Sequence, residues 1–144
     1  MNIEFKETLP EPSEYYTLFQ STGWNDDYKA DKRELYKAIS NSWYSLSAYG
    51  QNKKLIGFGR IVSDGILYAF ICDMIIDPLN QKQGIGTIIL EKLIQRCRKS
   101  NIRVLWLFAA SDKSNFYKKF GFSKRPGNAP GMQLNLFCPA THGL

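Results

Sequence analysis

Between residues 66 and 110 the hydrophobic period of the chain changes twice, and this double change constrains the fold more than any other feature. Ile66 to Ile76 is almost continuously apolar, the pattern of a strand covered on both faces. From Gly84 to Ser100 the apolar residues fall at Ile85, Ile88, Ile89, Leu93 and Cys97, with Glu91, Lys92, Gln95 and Arg98 on other faces. That spacing predicts a helix with a wide apolar stripe. Val104 to Ala110 is again a buried strand by pattern. A strand, a helix and a second strand in this order make a crossover unit, so the two strands should be parallel neighbours. Their ends can splay and leave a slot for a ligand.

The remaining chain fits around that unit. Ile3 and Phe5 alternate as a first strand. Pro12-Ser13-Glu14 can open a helix that runs to Gln20 and stops at Gly23. Residues 22–27 read as a loop, and Asp31 can cap a second helix through Asn41. Trp43 to Tyr49 and Leu55 to Val62 form a hairpin, and Ser63-Asp64-Gly65 turns into the long apolar strand. After Ala110 a short helix from Lys113 to Phe120 ends at Gly121. A last hairpin follows, with Phe122 to Lys124 and Met132 to Phe137 as its arms. The expectation is an α/β (α+β) fold. Its mixed central sheet has about seven strands, in the order β-α-α-β-β-β-α-β-α-β-β, splayed between the fourth and fifth strands.

Length, charge and cysteine usage bound the function. With 144 residues the chain suits one domain, residues 1–144, around one core. Apolar residues make up 44% and charged residues 22%, as in an ordinary soluble protein. Aromatics at 14% suit either a pocket or a plain aromatic core. The N-terminus lacks the basic flank and apolar run of a signal peptide. No apolar stretch approaches the ~20 residues a membrane span needs. The expected location is therefore cytoplasmic, with no membrane partner. Cys72, Cys97 and Cys138 lie far apart, His142 is the sole histidine, and no metal site is expected. The net charge of +6 hints at an anionic partner. The cluster Arg96, Arg98, Lys99 and Arg103 reads better as a solvated helix face. No basic-aromatic platform is present, so nucleic acid is not an expected partner.

The segment that can carry chemistry is Ile75-Ile76-Asp77-Pro78-Leu79-Asn80-Gln81-Lys82-Gln83-Gly84-Ile85-Gly86-Thr87. A buried strand feeds a glycine-bearing turn that opens a helix. The first backbone N–H groups of a helix lack partners, and the helix dipole adds positive potential there. Two glycines let an anion come close, so the turn is built as a phosphate cradle. A Walker loop is absent. A dinucleotide fingerprint fits poorly, because Ile89 stands where its third glycine belongs. On Gly-x-Gly alone, purely structural glycines are the favoured reading.

The wider pattern decides between them. Gln81-Lys82-Gln83-Gly84-Ile85-Gly86 resembles the Gln/Arg-x-x-Gly-x-Gly/Ala signature of the GNAT N-acetyltransferase superfamily. Phe116-Tyr117-Lys118-Lys119-Phe120-Gly121-Phe122 resembles its second hallmark, Tyr-x-x-x-Gly-Phe. The element order is also that family's, so the resemblance covers nearly the whole chain. It implies acetyl-CoA as donor, with the pyrophosphate on the amides of Gln83, Gly84, Ile85, Gly86 and Thr87, and with Gln81 and Lys82 beside them. It implies that the pantetheine arm pairs along Met74, Ile75 and Ile76, and that the Met74 N–H polarises the thioester carbonyl. Tyr117 aligns with the general acid that protonates the departing thiolate, and its other reading is a packed aromatic. Asn115 and Lys118 are further candidate contacts to CoA.

The same resemblance leaves the general base unassigned. Relatives place a Glu or His two or four residues before the carbonyl-polarising position, and here those positions are Cys72 and Phe70. Asp73 is adjacent, but strand alternation turns it to the other face unless a bulge intervenes. A structural and a catalytic Asp73 both stay open, as does a water chain. Trp24, Tyr28, Phe70, Cys72 and Asp73 are the acceptor-side candidates. The expectation is transfer to a primary amine of a small molecule, such as an amino acid or amino sugar, by a monomer or homodimer. A protein or peptide acceptor and a non-catalytic acetyl-CoA sensor are the rival readings.

Overall fold

The computed structural model describes residues 2–137, which form two compact units, one ending at Phe108 and one beginning at Ala109. The first unit holds β1 (Glu4–Lys6), α1 (Pro12–Gln20), α2 (Asn25–Tyr28), α3 (Lys32–Ser40), β2 (Tyr44–Tyr49), β3 (Leu55–Ser63), β4 (Tyr68–Ile76), α4 (Ile85–Lys99) and β5 (Val104–Leu107). Its sheet runs in the order β1-β2-β3-β4-β5. The first four strands are antiparallel, and β4 pairs with β5 in parallel, as the crossover requires.

Helix starts follow local chemistry. Pro12 occupies the first turn of α1, where its missing N–H costs nothing. Asp31 caps α3 by accepting from the Glu34 N–H at 2.8 Å, while Glu34 accepts from the Asp31 N–H at 3.0 Å. This reciprocal box satisfies two of the orphan donors at the helix start. The expected loop at 22–27 instead contains the single turn α2. Buried Asn25 holds it, donating to Gln20 Oε1 and the Ala30 carbonyl and accepting from the Ala30 N–H. An asparagine that closes both ends of a turn has no apolar period to betray it.

Helices cover both sheet faces. On one face Tyr15, Leu18, Phe19, Leu35 and Ile39 of α1 and α3 bury against Leu55, Phe58 and Ile75. On the other, α4 packs with Ile85, Ile89, Leu90, Leu93 and Cys97 buried. Two glycines of β3 let α4 approach. A Cβ at Gly59 would stand 2.7 Å from Ile89 Cγ2 and 3.1 Å from Leu93 Cδ1. Of the expected basic cluster, Arg96 lies over the rings of Trp43 and Tyr44, 4.8 and 5.4 Å from their centroids. It therefore packs against aromatic faces as well as carrying charge.

The second unit contains α5 (Ser114–Lys118), shorter than expected. The sheet has five strands rather than about seven, because neither Phe122–Lys124 nor Met132–Phe137 joins a ladder among the described residues. The connection between them carries Pro126, Gly127, Pro130 and Gly131. It is held by Arg125 Nε donating to the Ala129 carbonyl and the Ala129 N–H donating to the Pro126 carbonyl. Alternating residues supply a strand with a face but not with a partner, and two prolines remove donors from the turn that would align the arms.

Candidate active site

Among the described residues β4 pairs with β5 over less than half its length. Its ladder with β5 ends at Ile71–Leu107, yet β4 continues to Ile76. Cys72 to Ile76 of β4 lie beyond that ladder, on the stretch where the sequence predicts a splay. The direction of the exposed groups follows from the β3 side. The Asp77 N–H donates to the Ile56 carbonyl at 2.8 Å, which makes these two a hydrogen-bonded pair. Such pairs alternate with outward-pointing ones along an antiparallel ladder. In the register Phe58–Ile75 and Arg60–Asp73 are then bonded, while Gly57–Ile76 and Gly59–Met74 turn their backbone groups away from β3. Gln81 Nε2 donates to the Ile76 carbonyl at 3.3 Å, in keeping with that direction. Met74 therefore offers its N–H to the open edge, while its side chain packs against Gly59 on the α4 side.

The turn into α4 supplies a second set of donors. Lys82 and Gly84 both adopt positive φ, 64° and 82°. Gly84 is the cap residue of α4, and no side chain caps the helix. The amides of Ile85, Gly86 and Thr87 are thus left for a ligand. A Cβ at Gly84 would meet nothing within 4 Å, so the space above the amides is open. A phosphate fits this cradle.

Asp73 stands where strand alternation alone would not put it. The β3–β4 register shifts between Arg60 and Ile61, leaving Cys72 without a partner as a bulge. Asp73 consequently shares the α1/α3 face with Cys72. Arg60 Nε donates to Asp73 Oδ2 in an ion pair whose side chains are 15% and 13% exposed. The Tyr15 hydroxyl donates to the same oxygen at 3.3 Å. Arg60 also reaches the Ala38 carbonyl of α3. Burial drives the Tyr15 phenol well above its usual range, and the Asp73 charge adds to that. Burial also raises the Cys72 thiol, which the Arg60 charge only partly offsets. Cys72 thus keeps its proton at neutral pH and is a poor base.

The other sequence candidates are spread more widely. Trp24 packs edge-on against Phe19 at 5.8 Å, on the rim of the α1/α3 core. Tyr28 ends α2 and is 55% exposed. Phe70 meets Phe108 edge-on at 5.0 Å. In the second unit Asn115, Tyr117 and Lys118 lie on α5. The Tyr117 ring packs against Phe116 and Phe122, at 5.1 and 6.0 Å. Burial raises its phenol above the ordinary value of 10.0, so Tyr117 holds a proton throughout the neutral range.

Arg60 and Tyr15 were not foreseen, although a signal existed. Arg60 and Asp73 are the sole charges in β3 and β4. A lone charge in an apolar strand calls for a partner, and the other lone charge is the obvious one. Gly57 and Gly59 were also missed. Their small size matters only once α4 lies across them.

Comparison with known proteins agrees with this geometry. A family model described as the acetyltransferase (GNAT) domain matches residues 14–130. The chain is 36% identical over 136 residues to the uncharacterized N-acetyltransferase ycf52 of Pyropia yezoensis, a match spanning 90% of this chain and 78% of that one. It is 39% identical over 125 residues to the histone acetyltransferase TAP1 of Glycine max. That match spans 80% of this chain and 53% of TAP1, so the chain reaches about half the length of that relative. Its fold is similar to that of protein SA2161 from meticillin-resistant Staphylococcus aureus, a protein of unknown function. There the TM-score is 0.82, over 93% of this chain and 99% of that one, at 22% identity.

Proposed function

The chain belongs to the GNAT family of acetyl-CoA-dependent N-acetyltransferases, and from that premise we propose that it acetylates a small-molecule amine of lowered pKa, such as an amino acid or amino sugar. Acetyl-CoA supplies an activated acetyl thioester. The residues of this chain then have separate tasks. The amides of Gly84 to Thr87 hold the pyrophosphate, and the outward groups of Met74 and Ile76 align the pantetheine arm. The Met74 N–H donates to the carbonyl oxygen as negative charge builds on it, a contact worth a few kcal/mol when preorganised. The neutral amine forms the new C–N bond while the C–S bond breaks, and the proton the nitrogen then sheds passes to solvent, which also returns a proton to Tyr117 after the transfer. Tyr117 gives its proton to the departing thiolate. The phenol suits that task because it is still protonated where a thiol of pKa about 8.5 is being released.

The observation that carries the acceptor reading is the state of Asp73. It is the one carboxylate on β4, and it is engaged by Arg60 and by the Tyr15 hydroxyl. With Cys72 protonated and Phe70 inert, no free strong base lies at the positions where relatives keep one. A lysine side chain, pKa about 10.4, is roughly 0.1% neutral at pH 7.4, a cost of about 4 kcal/mol. An α-amine of pKa about 7.8 costs under ~1 kcal/mol. The net charge of +6 also disfavours a basic protein tail. The rival is a protein acceptor, the activity named for the soybean relative TAP1. A cytoplasmic location suits either reading, since Cys72 and Cys97 are free thiols. The deciding experiment is a competition between free amino acids, amino sugars, polyamines and a lysine peptide across pH 6.5 to 9. The small amines should show the higher kcat/KM at pH 7. A lysine peptide that wins there overturns the acceptor reading, and absence of CoA release with any amine leaves a sensor.

A further inference from the structure

The apolar residues of β4 around the Met74 N–H do not by themselves fix the register of that strand. Successive side chains of a strand point to opposite faces, so a one-residue slip exchanges the faces of every residue beyond it. Between Cys72 and Ile76 only Asp73 is charged, and helices cover both faces of the sheet. Met74, Ile75 and Ile76 can therefore bury on either side, whereas Asp73 cannot.

Two pairings are open to this stretch. In the observed one Cys72 is left over, and Arg60 pairs with Asp73, Gly59 with Met74 and Phe58 with Ile75. In a ladder without the bulge, continued from Ile61–Ile71, Gly59 would pair with Asp73 and Phe58 with Met74. Phe58 sits in a hydrogen-bonded pair, so Met74 opposite it would give its N–H to β3 and none to a ligand. The Asp73 carboxylate would take the place of the Met74 side chain beside Gly59, against the buried Ile89 and Leu93 and away from Arg60. A charge in such surroundings is strongly disfavoured.

In the observed pairing three elements hold Asp73 instead. Arg60 of β3 forms the ion pair with its Oδ2, the two side chains being 15% and 13% exposed. Tyr15 of α1 donates to the same oxygen at 3.3 Å. Arg60 is itself tied to α3, donating to the Ala38 carbonyl at 3.3 Å.

We propose that Arg60 is a positioning residue for the reaction: with the Tyr15 hydroxyl it holds Asp73, locks the bulge at Cys72 and so aims the Met74 N–H away from β3, toward the thioester carbonyl. This rests on the proposed role of the Met74 N–H as oxyanion donor, and not on which amine is the acceptor. A buried ion pair suits the task. Two charges taken out of water together gain little net stability, but a wrong register leaves one of them buried alone. The pair therefore penalises the slipped ladder more than it favours the native one.

Arg60→Met with Asp73→Leu removes both charges and keeps apolar volume, so the fold should persist with a urea midpoint at or above the parent's. Its register can be read without acetyl-CoA or acceptor. Residues of a non-hydrogen-bonded pair have Cα atoms about 4.5 Å apart, close enough for an NOE between their Hα protons. Gly59 should show that NOE to Met74 in the parent and to position 73 in the double variant. The chemical step, measured by rapid quench with whichever amine the parent acetylates fastest, should slow by roughly 10- to 10²-fold, approaching the loss of an oxyanion donor. Arg60→Lys keeps a cation opposite Asp73 and should retain the parent's NOE and chemical rate. A double variant that keeps the Gly59–Met74 NOE, or that unfolds, overturns the lock, as does an Arg60→Lys variant that slips. A slipped register with the parent's chemical rate overturns the aiming of the Met74 N–H and, with it, that atom's role in the reaction.

Discussion

Tyr117 and Asp73 show how differently two titratable side chains can be employed within one chain. Burial against aromatic neighbours raises the Tyr117 phenol and so preserves a proton donor. Asp73 is held by Arg60 and Tyr15, which makes it an organiser of the α1/α3 face rather than a free base. Replacing Tyr117 by Phe removes the proton and keeps the ring. We expect kcat to fall by roughly 10²-fold, the usual reach of general acid catalysis, with KM for acetyl-CoA nearly unchanged. Steady-state kinetics combined with rapid-quench measurement of the chemical step reads this. An unchanged chemical rate removes Tyr117 from proton transfer.

At the scale of elements, the cradle depends on where α4 sits, and that is set from β3. Gly59 has no room for a methyl group, since a Cβ there would press on Ile89 and Leu93. Gly59→Ala should cost about 1–3 kcal/mol in urea unfolding through overpacking. It should also weaken acetyl-CoA binding by displacing the helix. Gly84 behaves in the opposite way. Space is open above it, but its φ of 82° suits glycine. Gly84→Glu should therefore abolish acetyl-CoA binding by calorimetry, since it brings a carboxylate to the amides proposed to hold the pyrophosphate. Binding as tight as the parent's would show that the pyrophosphate lies elsewhere.

For the whole molecule, pH reports on the buried face between α1 and the sheet. The folded-state pKa of Tyr15 is raised by burial, then by Asp73. Its contribution to stability is therefore fully present below the unfolded phenol value of about 10 and is lost as pH rises above it. Melting temperatures of the parent should fall between pH 9.5 and 11.5. Tyr15→Phe removes this phenol, so its decline should be shallower. Equal slopes would mean that the alkaline loss arises from other groups, such as the Tyr44 phenol, which burial and then Glu7 push up to about 12.

What the sequence determined by itself are the features that act through neighbours in the chain. The capping residues Pro12 and Asp31, the apolar stripe of α4 and the parallel relation of β4 to β5 were all legible, because helix caps and hydrophobic periods act over a few residues. So was the glycine turn, whose positive φ at Gly84 and open amides follow from local backbone chemistry. The tertiary structure decided whatever depends on a partner far away in sequence. The Cys72 bulge turns Asp73 toward Arg60 and Tyr15, 13 and 58 residues distant. Gly57 and Gly59 acquire their purpose only beneath α4. The apolar alternation of Met132 to Leu136 promised a strand, yet a strand needs an opposing edge, and alternation alone cannot say which edge that is.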